Sequence, residues 1–242
     1  MLYILVMDEQ LKNQQVQILQ ALAGQIDDFY LVGGTALSLF YFDHRESEDL
    51  DFFTKNFSPE RVVQVVDYLK KQLQAAIDLK ADNLSEANQI KVMIYNVQME
   101  ARLIKIDFVE DVYDLINPFQ RKNGINVLSL EDIYLKKIYA IGGFAAGLDE
   151  VGQMKFEGGR QRAKDLFDLY YLSKEFLSLS EFVRQYCDEP RKAGIIRWFR
   201  KFDRMEMKID LADIKTKEKV EFRDIDKHFM DEINKILLRE IS

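Results

Sequence analysis

The apolar positions change period along this chain. In the first segment Leu11, Ile18, Leu19 and Leu22 recur at helical spacing, which predicts an amphipathic helix. FYLV (29–32) is a short apolar run ended by Gly33 and Gly34, so it reads as a strand, and ALSLFYF after it reads as a short helix. DLDFF (49–53) alternates acid and hydrophobe, the pattern of a half-buried strand. Ser58-Pro59 supplies an N-cap residue followed by a first-turn proline, and Val62, Val65, Val66, Leu69, Leu73, Ala76 and Ile77 fall on one face of the helix it opens. QIKVMIYNV and EARLIKIDFVE are two further strands, spaced to pair as a hairpin with the second more central, and INVLS (125–129) is another. Ser129, with Asp132 three residues on, caps a helix through DIYLKKIYAI. The glycine-dense stretch from Gly142 to Gly159 has no period and reads as a flexible connection. RAKDLFDLYYL is a helix, and the chain from about Leu177 reads as three more helical pieces. Strands and helices thus alternate first and helices alone come after them, which predicts an α+β mixed sheet with flanking helices and then a C-terminal helical bundle. The expected division is 1–128 and 129–242.

Composition narrows the chemistry. At 242 residues the chain can bury a core without disulfides, and its one cysteine, Cys187, cannot form an internal one. With only His44 and His228 besides, any metal is expected to be a hard cation on carboxylates. The apolar start MLYILVM lacks a basic flank and no run is long enough to span a bilayer, so a cytoplasmic protein without a membrane partner is expected. A net charge of −7 argues against a broad nucleic-acid surface. One local segment, 190–208, is basic, with Trp198, Phe199 and Phe202 interleaved. It reads first as an amphipathic helix with its aromatics in the core, and second as a local RNA contact.

Asp49 and Asp51 lie two apart in a strand, so both carboxylates project from one face, where a divalent cation would relieve their repulsion. A lone DxD is weak, being as easily two solvated acids. Upstream, however, VGGT follows a strand and opens a helix. Glycines there let the backbone approach a phosphate, and free N–H groups face it. A phosphate cradle followed by a metal pair is what phosphoryl or nucleotidyl transfer needs. Asp107, between Ile106 and Phe108, is a costly charge for an apolar strand. Beside DLDFF it would share the metal or take a proton from the acceptor hydroxyl. His44 reads as a surface or loop residue.

The segment GGTALSLFYFDHRESEDLDFF, with EDIYLKKIYAI and RAKDLFDLYYL, resembles the AbiEii/AbiGii toxin family of nucleotidyltransferases, part of the DNA polymerase β superfamily, over roughly residues 25 to 175. The resemblance implies a polymerase-β-like fold whose helical C-terminal region completes the active site. It also implies transfer of a nucleotide from an NTP, with Mg²⁺ or Mn²⁺, to an acceptor such as tRNA or another RNA, or a protein hydroxyl. The protein would then be the toxin of a toxin–antitoxin or phage-defence pair, with an antitoxin protein as partner. On the family pattern Gly33, Gly34 and Thr35 meet the phosphates, Arg45 and Ser47 contact the triphosphate, and Asp49 and Asp51 hold metal. Lys137, or the adjacent Lys136, neutralises the triphosphate, and Asp165 is a base or site organiser with Asp168 one turn on. The connection 142–159 departs from the family, whose members often have a shorter one; it would be a lid or an inert insertion. Two other functions fit the same residues: phosphate transfer at the same site, and a nucleotide-binding module without turnover that acts through a partner.

Overall fold

The computed structural model describes residues 8–85, 90–100, 102–148 and 154–239. These form two compact units that divide at Asp132/Ile133.

In the first unit, α1 (Glu9–Leu22) starts where the Asp8 side chain accepts the Leu11 N–H, and it buries Leu11, Ile18, Leu19 and Leu22 as its stripe requires. β1 (Tyr30–Val32) runs directly into α2 (Gly33–Leu37), which continues as a π-helical turn over Ser38–Phe42. The helix therefore begins at the glycine pair rather than after it. β2 (Leu50–Thr54) leads to α3 (Pro59–Leu73), capped by Ser58. Gln74 at φ +50° ends α3, so Ile77 belongs to the next strand rather than to the helix face expected for it. That strand is β3 (Ile77–Asn83), followed by β4 (Val92–Met99), β5 (Arg102–Glu110), β6 (Gln120–Lys122) and β7 (Ile125–Val127).

The seven strands form one sheet in the order β3-β4-β5-β2-β1-β7-β6. β4 and β5 pair antiparallel as the expected hairpin, and β5 lies between β4 and the parallel β2. One face of the sheet is apolar. Leu50, Phe52, Ile104, Ile106 and Phe108 are buried on it, with Phe108 stacked on Phe52 and edge-on to Phe29. The alternate residues of β2 and β5 take the opposite face.

α4 (Leu130–Gly142) starts at a reciprocal cap: Ser129 Oγ accepts the Asp132 N–H and donates to the Asp132 carboxylate. In the second unit the glycine-dense stretch contains paired strands, β8 (Phe144–Leu148) and β9 (Met154–Glu157), where an irregular connection was expected; 149–153 lie outside the described residues. α5 (Ala163–Tyr171) comes next and extends through a π-helical turn, Leu172–Phe176. Then come α6 (Leu179–Tyr186), α7 (Glu189–Lys201), α8 (Arg204–Ala212) and α9 (Phe222–Arg239), four helices where three were expected, because Phe202 and Asp203 break the basic segment in two. Phe167, Phe182, Trp198, Phe199, Ile225 and Phe229 fill the core of this unit. The aromatics of 190–208 are therefore inside, and base stacking on them is ruled out. Among the described residues no helix is long and apolar enough to cross a membrane.

Candidate active site

The pairing of β2 with β5 sets the site. In the parallel register Asp51 lies opposite Asp107 and Leu50 opposite Ile106. Leu50 and Ile106 point into the core, so the two aspartates project together from the other face, and Asp49, at the entrance to β2, shares their parity. Lys105, two residues before Asp107, joins them: its Nζ is 2.8 Å from Asp107 Oδ2 and 3.2 Å from Asp49 Oδ2. Burial is the largest influence on Asp107 and raises its pKa. The hydrogen bond and charge of Lys105 oppose this, Asp49 adds to it, and the net shift is upward. For Lys105 burial is again the largest single influence and would lower its pKa, but the hydrogen bonds and charges of Asp107 and Asp49 outweigh it and raise it above the ordinary lysine value.

Gly33 is favoured by contact and by conformation, Gly34 by contact alone. Gly33 has φ +75°, and a Cβ there would stand 2.7 Å from Asp51 Oδ2; the carboxylate lies directly against the glycine backbone. A Cβ on Gly34 would collide with Arg45 Nη2 and come within 2.9 Å of Ser47 Oγ. Arg45 is buried, with its Nη1 donating to the Glu46 carbonyl at 2.8 Å and its own carbonyl accepting from Ser38 Oγ at 2.7 Å. The Ser47 carbonyl accepts from Gln15 Nε2 at 2.7 Å. Thr35 is fully buried; its hydroxyl lies 2.9 Å from Ser47 Oγ and donates to the Asp49 carbonyl. A hydroxyl has one proton, so Ser47 is the donor in the Thr35–Ser47 bond. Thr35 thus ties α2 to the segment that delivers Asp49, and nothing in its surroundings exposes it to a phosphate. His44 is buried, edge-on to Phe42, rather than on the surface.

The donor set suits a hard cation. Asp107 Oδ1 is buried with no hydrogen-bond partner, an arrangement that is costly unless a ligand takes the lone pairs. Magnesium binds with one or two carboxylates plus phosphate rather than in a complete protein cage. Among the described residues no three acidic, histidine or cysteine side chains make such a cage, and Lys105 stands between Asp49 and Asp107.

A second cluster lies in the second unit. Lys137 on α4 is buried, with Nζ 2.8 Å from Asp165 Oδ1 and 2.6 Å from Asp168 Oδ2, both aspartates on α5. Arg160, half exposed, reaches Asp165 through Nε at 2.6 Å. Its backbone is held by the Ala140 carbonyl and by Trp198 Nε1. Lys137 is the member of the pair that meets Asp165 and Asp168; Lys136 is half-buried. The candidate residues accordingly fall into two sets. Gly33, Gly34, Thr35, Arg45, Ser47, Asp49, Asp51 and Asp107 meet in the first unit, and Lys137 meets Asp165 and Asp168 in the second. Lys105 and Arg160 escaped the sequence reading. Lys105 was marked by its parity with Asp107, Arg160 only by its place in the basic run before α5.

Residues 17–239 match the model of the family described as nucleotidyl transferase AbiEii toxin, type IV toxin–antitoxin system. An uncharacterized protein of Aquifex aeolicus is 28% identical over 169 residues, 68% of either chain. Among solved structures, JHP933 of Helicobacter pylori is similar with a TM-score of 0.56 at 20% identity, covering 96% of this chain and 92% of that one. MenT4, a nucleotidyltransferase toxin of Mycobacterium tuberculosis, is similar with a TM-score of 0.54 at 14% identity, over 94% of this chain and 83% of its own. At these identities the solved structures speak for the fold: a polymerase-β-like mixed sheet with flanking helices.

Proposed function

This chain belongs to the AbiEii nucleotidyl transferase toxin family and is a nucleotidyltransferase; from that premise we propose that it moves a nucleotide from an NTP, with Mg²⁺ or Mn²⁺, onto an RNA such as tRNA or onto a protein hydroxyl, as the toxin of a pair whose antitoxin restrains it. The observation that carries the metal-dependent reading is Asp107. Its buried, partnerless Oδ1 lies one strand from Asp51 and on the same face.

Asp49, Asp51 and Asp107 would hold the ion, which supplies charge neutralisation for the triphosphate. The chain's own groups do the rest. On the family pattern the backbone of Gly33 and Gly34 meets the phosphates, and side chains there would collide with Asp51, Arg45 and Ser47. Arg45 and Ser47, fixed around Gly34, hold the triphosphate. Thr35 acts through them, by keeping Ser47 and the Asp49 carbonyl in place. Asp107, whose pKa burial raises, is suited to take the proton of the acceptor hydroxyl. On the family pattern Lys137 neutralises triphosphate charge as the leaving group departs, and Asp165 positions that lysine.

The test is to incubate the purified protein with NTP labelled at the α or the γ phosphate, Mg²⁺ and total RNA. Label from the α position in RNA, or in a protein, supports the reading and names the acceptor. Label from the γ position alone would sink it in favour of phosphate transfer. A toxic phenotype that survives D51A would instead point to a module acting without turnover.

A further inference from the structure

We propose that Lys105 is a built-in counter-ion: it occupies the carboxylates of Asp49 and Asp107 in the metal-free protein and must leave them for a divalent cation to bind, so that it sets how tightly the site takes metal. The inference rests on the reading of Asp49, Asp51 and Asp107 as metal ligands.

Three observations carry it. First, the ammonium bridges an oxygen from the entrance to β2 and one from β5, Asp49 Oδ2 at 3.2 Å and Asp107 Oδ2 at 2.8 Å. The β2–β5 register brings them together, because Leu50 opposite Ile106 sets Asp49 beside Lys105. Second, an ammonium has donors and no acceptor, so Lys105 cannot itself be a ligand, and it repels a second cation on the same oxygens. Its presence agrees with the absence, among the described residues, of three side chains gathered to receive a metal. Third, the two oxygens of Asp107 are treated differently. Oδ2 is taken by Lys105, whereas Oδ1 is buried with no partner. The site is thus half-satisfied by an internal cation that can be withdrawn. The Lys105 side chain is 27% exposed on a flexible stem, which gives it a way out that a buried ion pair would lack.

Mn²⁺ binding to the full chain, read from the electron paramagnetic resonance of the free ion, tests this without reference to turnover. K105M, of similar length without the charge, should bind Mn²⁺ about tenfold more tightly than the wild type, the factor that ~1.4 kcal/mol of relieved repulsion gives. K105R, which keeps the charge, should remain near the wild type. Metal-free K105M should melt at a lower temperature than the wild type and gain more from added Mn²⁺, since its carboxylates then face each other uncompensated. K105Q, a second uncharged variant, should behave as K105M does and serves if K105M does not fold. Uncharged variants that fold and bind Mn²⁺ no better than the wild type overturn the proposal while leaving the metal site standing. Folded wild type and variants that all fail to bind Mn²⁺ overturn the metal reading itself, and this proposal with it.

Discussion

At the scale of single residues, the closest contact in the site is between a side chain and a backbone. The Asp51 carboxylate lies where a Cβ on Gly33 would be, and Gly33 itself has φ +75°. Gly33→Ala therefore meets two penalties. The positive φ alone costs roughly 1–2 kcal/mol, and the displaced Asp51 should lower the rate of transfer by about 10²-fold, the loss that a misplacement of about 1 Å brings. Denaturant midpoints and initial rates on the same protein separate the two; an unimpaired rate would show that Asp51 need not be held there. Lys137 presents a different balance. It is one buried ammonium between two buried carboxylates, so Lys137→Met should destabilise the protein by about 3–5 kcal/mol. Asp168→Asn added to that variant should recover part of the loss. Additive losses in this double-mutant cycle would mean that the pair is not coupled.

At the scale of elements, the parts legible in the sequence were those with an apolar pattern. α1, α3, β4, β5 and α5 each bury a stripe on one face. Leu11, Ile18, Leu19 and Leu22 of α1 and Val62, Val65, Val66 and Leu69 of α3 are inside as expected, whereas Leu73 is half-buried and Ala76 lies exposed beyond the end of α3. The elements that escaped lacked such a stripe. β3, at the edge of the sheet, buries Ile77 and exposes most of its other residues, and β6 is three polar residues, so neither alternates. β6 did carry one signal, Asn123-Gly124, the residues of a two-residue hairpin turn with both φ positive. At Gly124 a Cβ would approach the Ala23 Cβ to 2.9 Å. Gly124→Ala should cost about 1–3 kcal/mol in a urea titration while leaving the rate of transfer intact, the reverse of Gly33→Ala in its weight on function. The carboxylates of the site were legible because acids stand out in apolar strands. Lys105 was not, because its role depends on which strand lies beside β2, and pairing order is absent from any single segment. The hairpin of β8 and β9 was hidden by its glycines, which dilute every period.

At the scale of the whole molecule, acid should act through the second unit. His228 Nε2 is 2.8 Å from Ser173 Oγ, and its ring lies against Tyr170 and Phe229. Burial lowers its pKa, with the charge of Glu232 opposing. A histidine whose folded pKa is depressed takes its proton first in the unfolded chain, so stability should fall as pH drops below about 6.5. Melting curves across that range should show the decline, and His228→Gln should remove this part of it; a pH dependence unchanged by the substitution would assign the effect elsewhere. The chain's net charge of −7 sets a second condition on function. In a chain this acidic, an RNA acceptor is expected to be held through few phosphates, so its binding should weaken only modestly with salt. The central claim is that Asp51 serves transfer of a nucleotide, and one measurement addresses it most directly. The wild type and D51A are incubated with α-labelled NTP, Mg²⁺ and total RNA, and covalent label is counted in every macromolecule present. Label in the wild-type reaction and none with a folded D51A is the predicted result. Equal label from both proteins, or label from the γ position alone, would contradict it.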